Sequence, residues 1–144
     1  MKVLALATRE KSRAPMREHQ AIRVTRERGL EGDSRGKPNS RQVTLLSEKQ
    51  WRQACNELSE ALPWTYRRAN ILVSDVEFSE DMLGKEIQIG TLVLKITGET
   101  DPCPRMDEQH QGLTEALRLY WRGGVCCRVL EDGDIAVSDP ACLR

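Results

Sequence analysis

The 144-residue sequence predicts a mainly β fold: one antiparallel β-barrel domain over residues 1–144, with two flanking α-helices. Three observations carry this expectation. Seven or eight short segments are apolar throughout or alternate with period two, as strands do. Only two stretches space their apolar side chains as a helix does. Strands and helices also fail to alternate along the chain, which argues against a parallel sheet built from crossover helices.

The elements follow in order. Val3–Thr8 reads as a first strand, and Glu18–Glu27 holds a second. Residues 28–42, "RGLEGDSRGKPNSRQ", are rich in Gly, Asp, Asn, Ser and Pro and form a long connection. Loops of that length inside a small domain are usually functional or disordered. Val43–Leu46 is a short buried strand. Ser47 then caps a helix, and Gln50 three residues on completes a capping box. Trp51, Ala54, Cys55, Leu58 and Leu62 share one face of that helix, which Pro63 stops. Asn70–Val73 is another buried strand. Lys85–Thr97 alternates on either side of Gly90-Thr91, a hairpin pattern. A second helix carries Leu113, Ala116, Leu117, Tyr120 and Trp121 on one side and ends at Gly123-Gly124. Val125–Val137 reads as two strands joined in a hairpin at Asp132-Gly133.

Bulk composition restricts function. There are 22 basic and 22 acidic residues, so no single-sign field draws the whole molecule to nucleic acid or to an anionic membrane. No apolar run approaches the roughly 20 residues of a membrane helix. The opening "MKVLALATREK" is too brief for a signal peptide, and the expected location is the cytoplasm. Five cysteines, an odd number without a secretion signal, imply free thiols. No pair or Cys/His cluster has the spacing of a structural zinc site.

The most informative stretch is "TDPCPRMD", residues 100–107. Pro102 and Pro104 stiffen the chain on either side of Cys103. Arg105 places a cation nearby, and cations favour the thiolate that attacks or ligates. The plain alternative is a proline-rich connection with an incidental cysteine. Cys126 and Cys127 are neighbours in a strand and face opposite ways. Cys55 sits on the apolar stripe of the first helix and reads as core. Cys142, near the tail, reads as incidental. Gly29, Gly32 and Gly36, with Arg35, Lys37 and Arg41, can cradle an anion or merely form a solvated loop. Arg67 and Arg68 precede a buried strand, where arginine binds phosphate or carboxylate, or forms a surface ion pair. His19 and His110 lack the spacing of a triad and read as exposed polar residues.

Taken together, "GLEGDSRG", "RQVTLL", "RRANILV", "LGKEIQIGTLVLKIT", "DPCPRM" and "GGVCCRVLEDGDIAVSD" resemble MOSC domains in content and order, from about Gly29 to Asp139. The name refers to the C-terminal domain of molybdenum cofactor sulfurases, and the length is similar to the small stand-alone bacterial members. The resemblance implies a β-barrel like the small barrel domain of pyruvate kinase. It implies that Cys103 carries sulfur as a persulfide or ligates molybdenum. It implies cofactor-binding roles for Arg68, Asn70 and Arg105, and for the turn Glu31, Gly32, Asp33 with Arg35 beside it. The implied cofactor is molybdenum cofactor (molybdopterin). Pyridoxal phosphate is not expected in this chain. The implied activity is either oxidoreduction of N-hydroxylated bases or amidoximes with an electron-donor protein, or sulfur carriage from a sulfur-donor protein. The sequence departs from the family where Ser34 and Arg35 follow "GD", and where Ser138 replaces the glycine of a late "GD". The alternatives from other classes are a thiol redox sensor using Cys103 with Cys126 or Cys127, and a non-catalytic binding module.

Overall fold

Eleven strands form, most of them from the segments whose apolar residues alternate or run together. They are β1 (Val3–Thr8), β2 (Arg17–His19), β3 (Ala21–Thr25), β4 (Gly29–Leu30), β5 (Val43–Ser47), β6 (Ile71–Val73), β7 (Glu86–Ile89), β8 (Leu92–Glu99), β9 (Val125–Glu131), β10 (Gly133–Ala136) and β11 (Cys142–Leu143). Three short helices accompany them: α1 (Glu48–Glu57), α2 (Met106–Gln109) and α3 (Leu113–Arg118). The structure is a computed structural model and describes residues 1–144. No helix is long and apolar enough to cross a membrane.

Eight strands make one sheet in the order β11-β7-β8-β9-β5-β6-β1-β2, which curls into a half-barrel. A second sheet, β10-β3-β4, packs against it. Alternation decides the layers. Leu45, Ile71 and Val73 point into the main core with Val24, Leu30 and Ile135 of the small sheet. Leu46 and Leu72, one residue out of phase, point to the other face and meet Trp51, Ala54 and Cys55 of α1 and Leu113 and Leu117 of α3. β5 and β6 are therefore buried on both sides, which is why they read as unbroken apolar runs.

Several expectations change. β5 and β6 are parallel, joined through α1, so the fold contains one strand–helix–strand crossover in an otherwise antiparallel sheet. Ser47 does cap α1, accepting from the Gln50 amide at 3.2 Å, but the box is only half made. The Gln50 side chain instead bonds Phe78 at both its amide and its carbonyl, and donates to the Tyr120 carbonyl. α1 ends at Leu58, not at Pro63, because Ser59 turns left-handed with φ +55°. The Trp51 indole still holds Leu62 by its carbonyl, at 3.1 Å.

The second helix is two helices. Gly112, at φ +89°, breaks the run, and Asp107 Oδ1 caps α3 by accepting from the Thr114 amide at 2.9 Å. α3 stops at Arg118, and Tyr120 and Trp121 both adopt positive φ. Tyr120 is therefore exposed, and Trp121 packs on the main core. Nor is Val125–Val137 a hairpin. Asp132-Gly133 carries the chain from the large sheet into the small one, where β10 pairs with β3. A Cβ on Gly133 would lie 2.5 Å from the Leu92 amide nitrogen, so that crossing needs glycine. His19, expected to be exposed, is half-buried and bonded to Thr8 Oγ1 at 2.8 Å.

Candidate functional site

The end of β1, the 31–41 loop, β5, the entrance to β6 and the cysteine loop converge on one cavity of about 440 Å³. Its lining includes Cys103, Arg68, Asn70, Arg105, Asp33 and Arg35. Six of the eight positions expected to carry function thus meet in space, from segments as far apart in sequence as Asp33 and Arg105. The other two, Glu31 and Gly32, are exposed and lie outside this lining. Their turn acts through its third member: Asp33 accepts from the Arg9 amide at 3.1 Å and from the Arg35 amide at 3.4 Å.

Four further arginines line the cavity: Arg9, Arg13, Arg41 and Arg67. The sequence marked Arg41 and Arg67 only as local alternatives and gave Arg9 and Arg13 no role. The available signal was weak, an arginine just past the end of a first strand. Seven arginines face three carboxylates here, those of Asp33, Asp101 and Glu108. The chain as a whole is neutral, so this excess of cations over carboxylates is local to the cavity. None of the seven takes part in any of the eight salt bridges of the protein. Guanidiniums crowded in excess over carboxylates, and outside any salt bridge, make an anion site.

Two groups of charge can be told apart. Burial, then Arg35 and Arg68, push the Arg9 guanidinium below its ordinary range, and Asp33 only partly offsets them. Burial and Arg35 do the same to Arg68. These three cations therefore repel one another, and a bound anion would relieve that repulsion. Arg68 sits at φ +64°, closing a 3₁₀ turn over Trp64–Arg67, and donates to the Ala14 carbonyl. That left-handed step sends Arg67 and Arg68 in different directions. Arg67 goes inward: it is 7 % exposed, and burial pushes its pKa down to about 10, opposed by the thiols of Cys103 and Cys126.

Asn70 has a different part. Its Oδ1 accepts from the Thr44 amide at 3.0 Å and from the Thr44 hydroxyl at 3.3 Å, and its Nδ2 donates to the Ala7 carbonyl at 3.2 Å. The side chain ties β1, β5 and β6 together and leaves one amide hydrogen for anything else. Cys103 is exposed at the cavity. Its carbonyl accepts from the Met106 amide and from the Thr114 hydroxyl, each at 3.0 Å, so the loop is held from two helices. Cys127 is fully buried in the main core, and burial pushes its thiol far above its ordinary range. Cys126 faces the other way, 3.2 Å from Thr100 Oγ1, and is also buried. Cys55 is core, as its place on the apolar stripe implies, and Cys142 is exposed on β11.

Fold and site define a class of protein: a curled β domain that presents one exposed thiol beside an arginine-lined cavity. The chain belongs to the MOSC-domain family, whose pattern matches residues 32–141. Its fold is similar to that of the YuaD protein from Bacillus subtilis, with TM-score 0.83 at 18% identity over 97% of this chain and 93% of that one. It is similar to YiiM from Escherichia coli, with TM-score 0.74 at 15% identity over 100% of this chain and 70% of that one. YiiM from Geobacillus stearothermophilus gives TM-score 0.72 at 16% identity, over 99% and 72%. No curated protein matches this chain in sequence.

The family is associated with molybdenum cofactor, and the residues present fit such a group. No cluster of three or more His, Cys, Asp or Glu side chains is arranged to hold a metal through the protein alone. A metal held here must bring most of its own ligands, and Cys103 offers the one exposed soft donor at the cavity. The unpaired arginines suit a phosphate-bearing ligand.

Proposed function

We propose that this MOSC-domain protein binds molybdenum cofactor, with Cys103 as the protein's ligand to the metal. The observation that carries this reading is the exposed Cys103 at a cavity lined by seven arginines, none in a salt bridge. Arg9, Arg35 and Arg68 receive the cofactor's phosphate, since their mutual repulsion falls when a dianion sits among them. Arg105 and Arg41 stand at the same lining as Cys103 and complete the site for the cofactor's anionic end. Asn70 fixes the strands from which these groups project. When bound, the cofactor supplies a redox-active molybdenum centre, with which the protein reduces N-hydroxylated compounds using electrons from a donor protein.

A second reading follows from the same thiol. Cys103 is exposed and lies within electrostatic reach of the buried Arg67 cation, a setting that suits an anionic persulfide. The protein then accepts sulfur from a donor protein and passes it on without turning over a substrate.

The deciding experiment measures molybdenum and pterin in protein purified anaerobically from a cofactor-competent host, beside Cys103→Ala. Near-stoichiometric molybdenum in the parent and its loss in the variant are expected. Absence of molybdenum from both overturns the cofactor reading. A mass increase of one sulfur atom on Cys103 would then support sulfur carriage.

A further inference from the structure

Arg67 is a buried cation with no carboxylate within salt-bridge distance. Its Nε donates to the Gly123 carbonyl at 2.9 Å and its Nη2 to the Thr100 carbonyl at 2.8 Å. Its Nη1 finds only the thioether of Met106, at 3.7 Å. A guanidinium has five N–H donors, and a thioether is a weak acceptor, so this side chain keeps donor capacity to spare. Thr100 and Met106 bracket Cys103, three residues to either side. Arg67 therefore grips both ends of the cysteine loop. A glycine at 123 makes the grip possible, because a Cβ there would lie 2.4 Å from the Thr100 carbonyl oxygen and 3.3 Å from Arg67 Nη2.

An uncompensated buried charge is costly to keep. Carbonyl dipoles offset part of this cost, but an anion at the Cys103 sulfur would offset more. We propose that Arg67 is a positioning residue for Cys103: it clamps the loop at both ends and supplies the buried counter-charge for whatever anion forms on, or is bonded to, that sulfur. Arg105, two residues along the chain from Cys103, is exposed and solvated, so its charge is screened more strongly than that of Arg67. The inference rests on the reading that Cys103 is the reacting group, but not on which species it carries.

The test compares alkylation of Cys103 by iodoacetate, an anion, and by iodoacetamide, its neutral analogue. In both reactions the thiolate displaces iodide and forms a thioether. Cys103 is followed by peptide mass, and the exposed Cys142 serves as an internal reference. The rate ratio of the anionic to the neutral reagent reads local charge, whereas a change in loop mobility moves both rates together. In Arg67→Gln and Arg67→Met the ratio at Cys103 should fall by about threefold to tenfold, the effect of removing one partly screened unit charge from the same cavity. Arg67→Lys should restore most of it, and the ratio at Cys142 should not move. Protection of Cys126 and Cys127 from alkylation certifies that a variant is folded, and two neutral variants are made so that one with native protection is in hand. An unchanged ratio, or equal changes with both reagents, overturns the inference. Alkylation is read on reduced, metal-free protein from a host that cannot make the cofactor, so that the Cys103 thiolate is free to react. No molybdenum uptake in a competent host beside an Arg67-dependent ratio sinks the cofactor reading alone, and molybdenum uptake there beside a flat ratio in the metal-free protein sinks this inference alone.

Discussion

Asn70 and Thr44 form a closed pair: the Thr44 amide donates to Asn70 Oδ1 at 3.0 Å, and the Asn70 amide donates to the Thr44 carbonyl at 3.0 Å. Both residues line the cavity. The pair makes Asn70 a brace of the sheet in addition to a site residue. Asn70→Ala leaves the Thr44 amide and the Ala7 carbonyl short of a partner in a buried setting. The expected cost is about 2 to 4 kcal/mol, from stranded polar groups and the space left behind. Chemical denaturation of the two proteins measures it. A loss under about 0.5 kcal/mol, the size of an ordinary surface change, would show that water replaces the side chain at no cost.

Arg68 should behave in the opposite way. It is half-buried, holds a single carbonyl and is repelled by Arg35. Arg68→Met should leave unfolding stability nearly unchanged, and should abolish most of the rise in melting temperature that inorganic phosphate gives the parent. Raising the concentration of a monovalent salt should erode that rise in the parent, since these charges are partly solvated. An equal phosphate effect in both proteins would remove Arg68 from the anion site.

Gly123→Ala tests the packing beneath the cysteine loop. The new methyl would overlap the Thr100 carbonyl, which is backbone and cannot swing aside. We expect a loss of about 1 to 3 kcal/mol, as for other overpacked positions, and faster alkylation of Cys103 as its loop loosens. Wild-type stability would mean that the loop shifts freely and that Arg67 does not clamp it.

The strands were legible because they are buried on one or both faces, and burial writes alternation or apolar runs into a sequence. β1, β5, β7 and β8 fall where Val3–Thr8, Val43–Leu46 and Lys85–Thr97 place them. What the sequence hides is pairing. Asp132-Gly133 carries the chemistry of a tight hairpin, yet the same two residues also serve a strand that changes sheets, and only the Gly133–Leu92 contact distinguishes the two. Parts of the cavity were legible: Cys103 from its flanking prolines, Arg68 from its place before a buried strand, and Asp33 from the resemblance of its turn to the family's. Arg9 was not. An arginine after a strand looks the same whether it meets solvent or six other arginines, and only folding brings β1 to the 31–41 loop. The inward turn of Arg67 was hidden for a related reason. It sits beside Arg68, and the left-handed φ of Arg68 that separates their directions belongs to a residue type that rarely adopts it.

Thiol chemistry gives a sharp count. Cys103 and Cys142 are exposed, and Cys55, Cys126 and Cys127 are buried. A thiol-specific chromogenic reagent should titrate two groups rapidly in the native protein and all five after unfolding in denaturant. Cys127 should be the most resistant, because burial holds its thiol far above its ordinary range. A third fast thiol that maps to Cys126 would reopen the case for a redox pair with Cys103. Two fast thiols, both unchanged under mild oxidation, would close it.

Asp107 links acidity to the cysteine loop. Hydrogen bonding from the Thr114 backbone amide holds its carboxyl below the ordinary carboxylate range, and the Thr114 hydroxyl in turn donates to the Cys103 carbonyl. A carboxyl whose folded value is depressed stabilises the fold fully above its unfolded value, about 3.9 for aspartate. That contribution fades as pH falls through the folded value, where the proton that binds weakens the cap on α3. Asp107→Asn is neutral at every pH and lacks the contribution throughout. The melting temperature of the parent should therefore exceed that of Asp107→Asn at pH 7, stay ahead by the same margin down to about pH 5, and converge with it toward pH 2. Cys103 alkylation in Asp107→Asn at pH 7 should also be faster, since Thr114 no longer has its anchor. Melting curves that stay parallel from pH 7 to pH 2 would show that the Asp107 charge adds nothing to the cap. The Thr114 bond to the Cys103 carbonyl would then hold the loop independently of that charge.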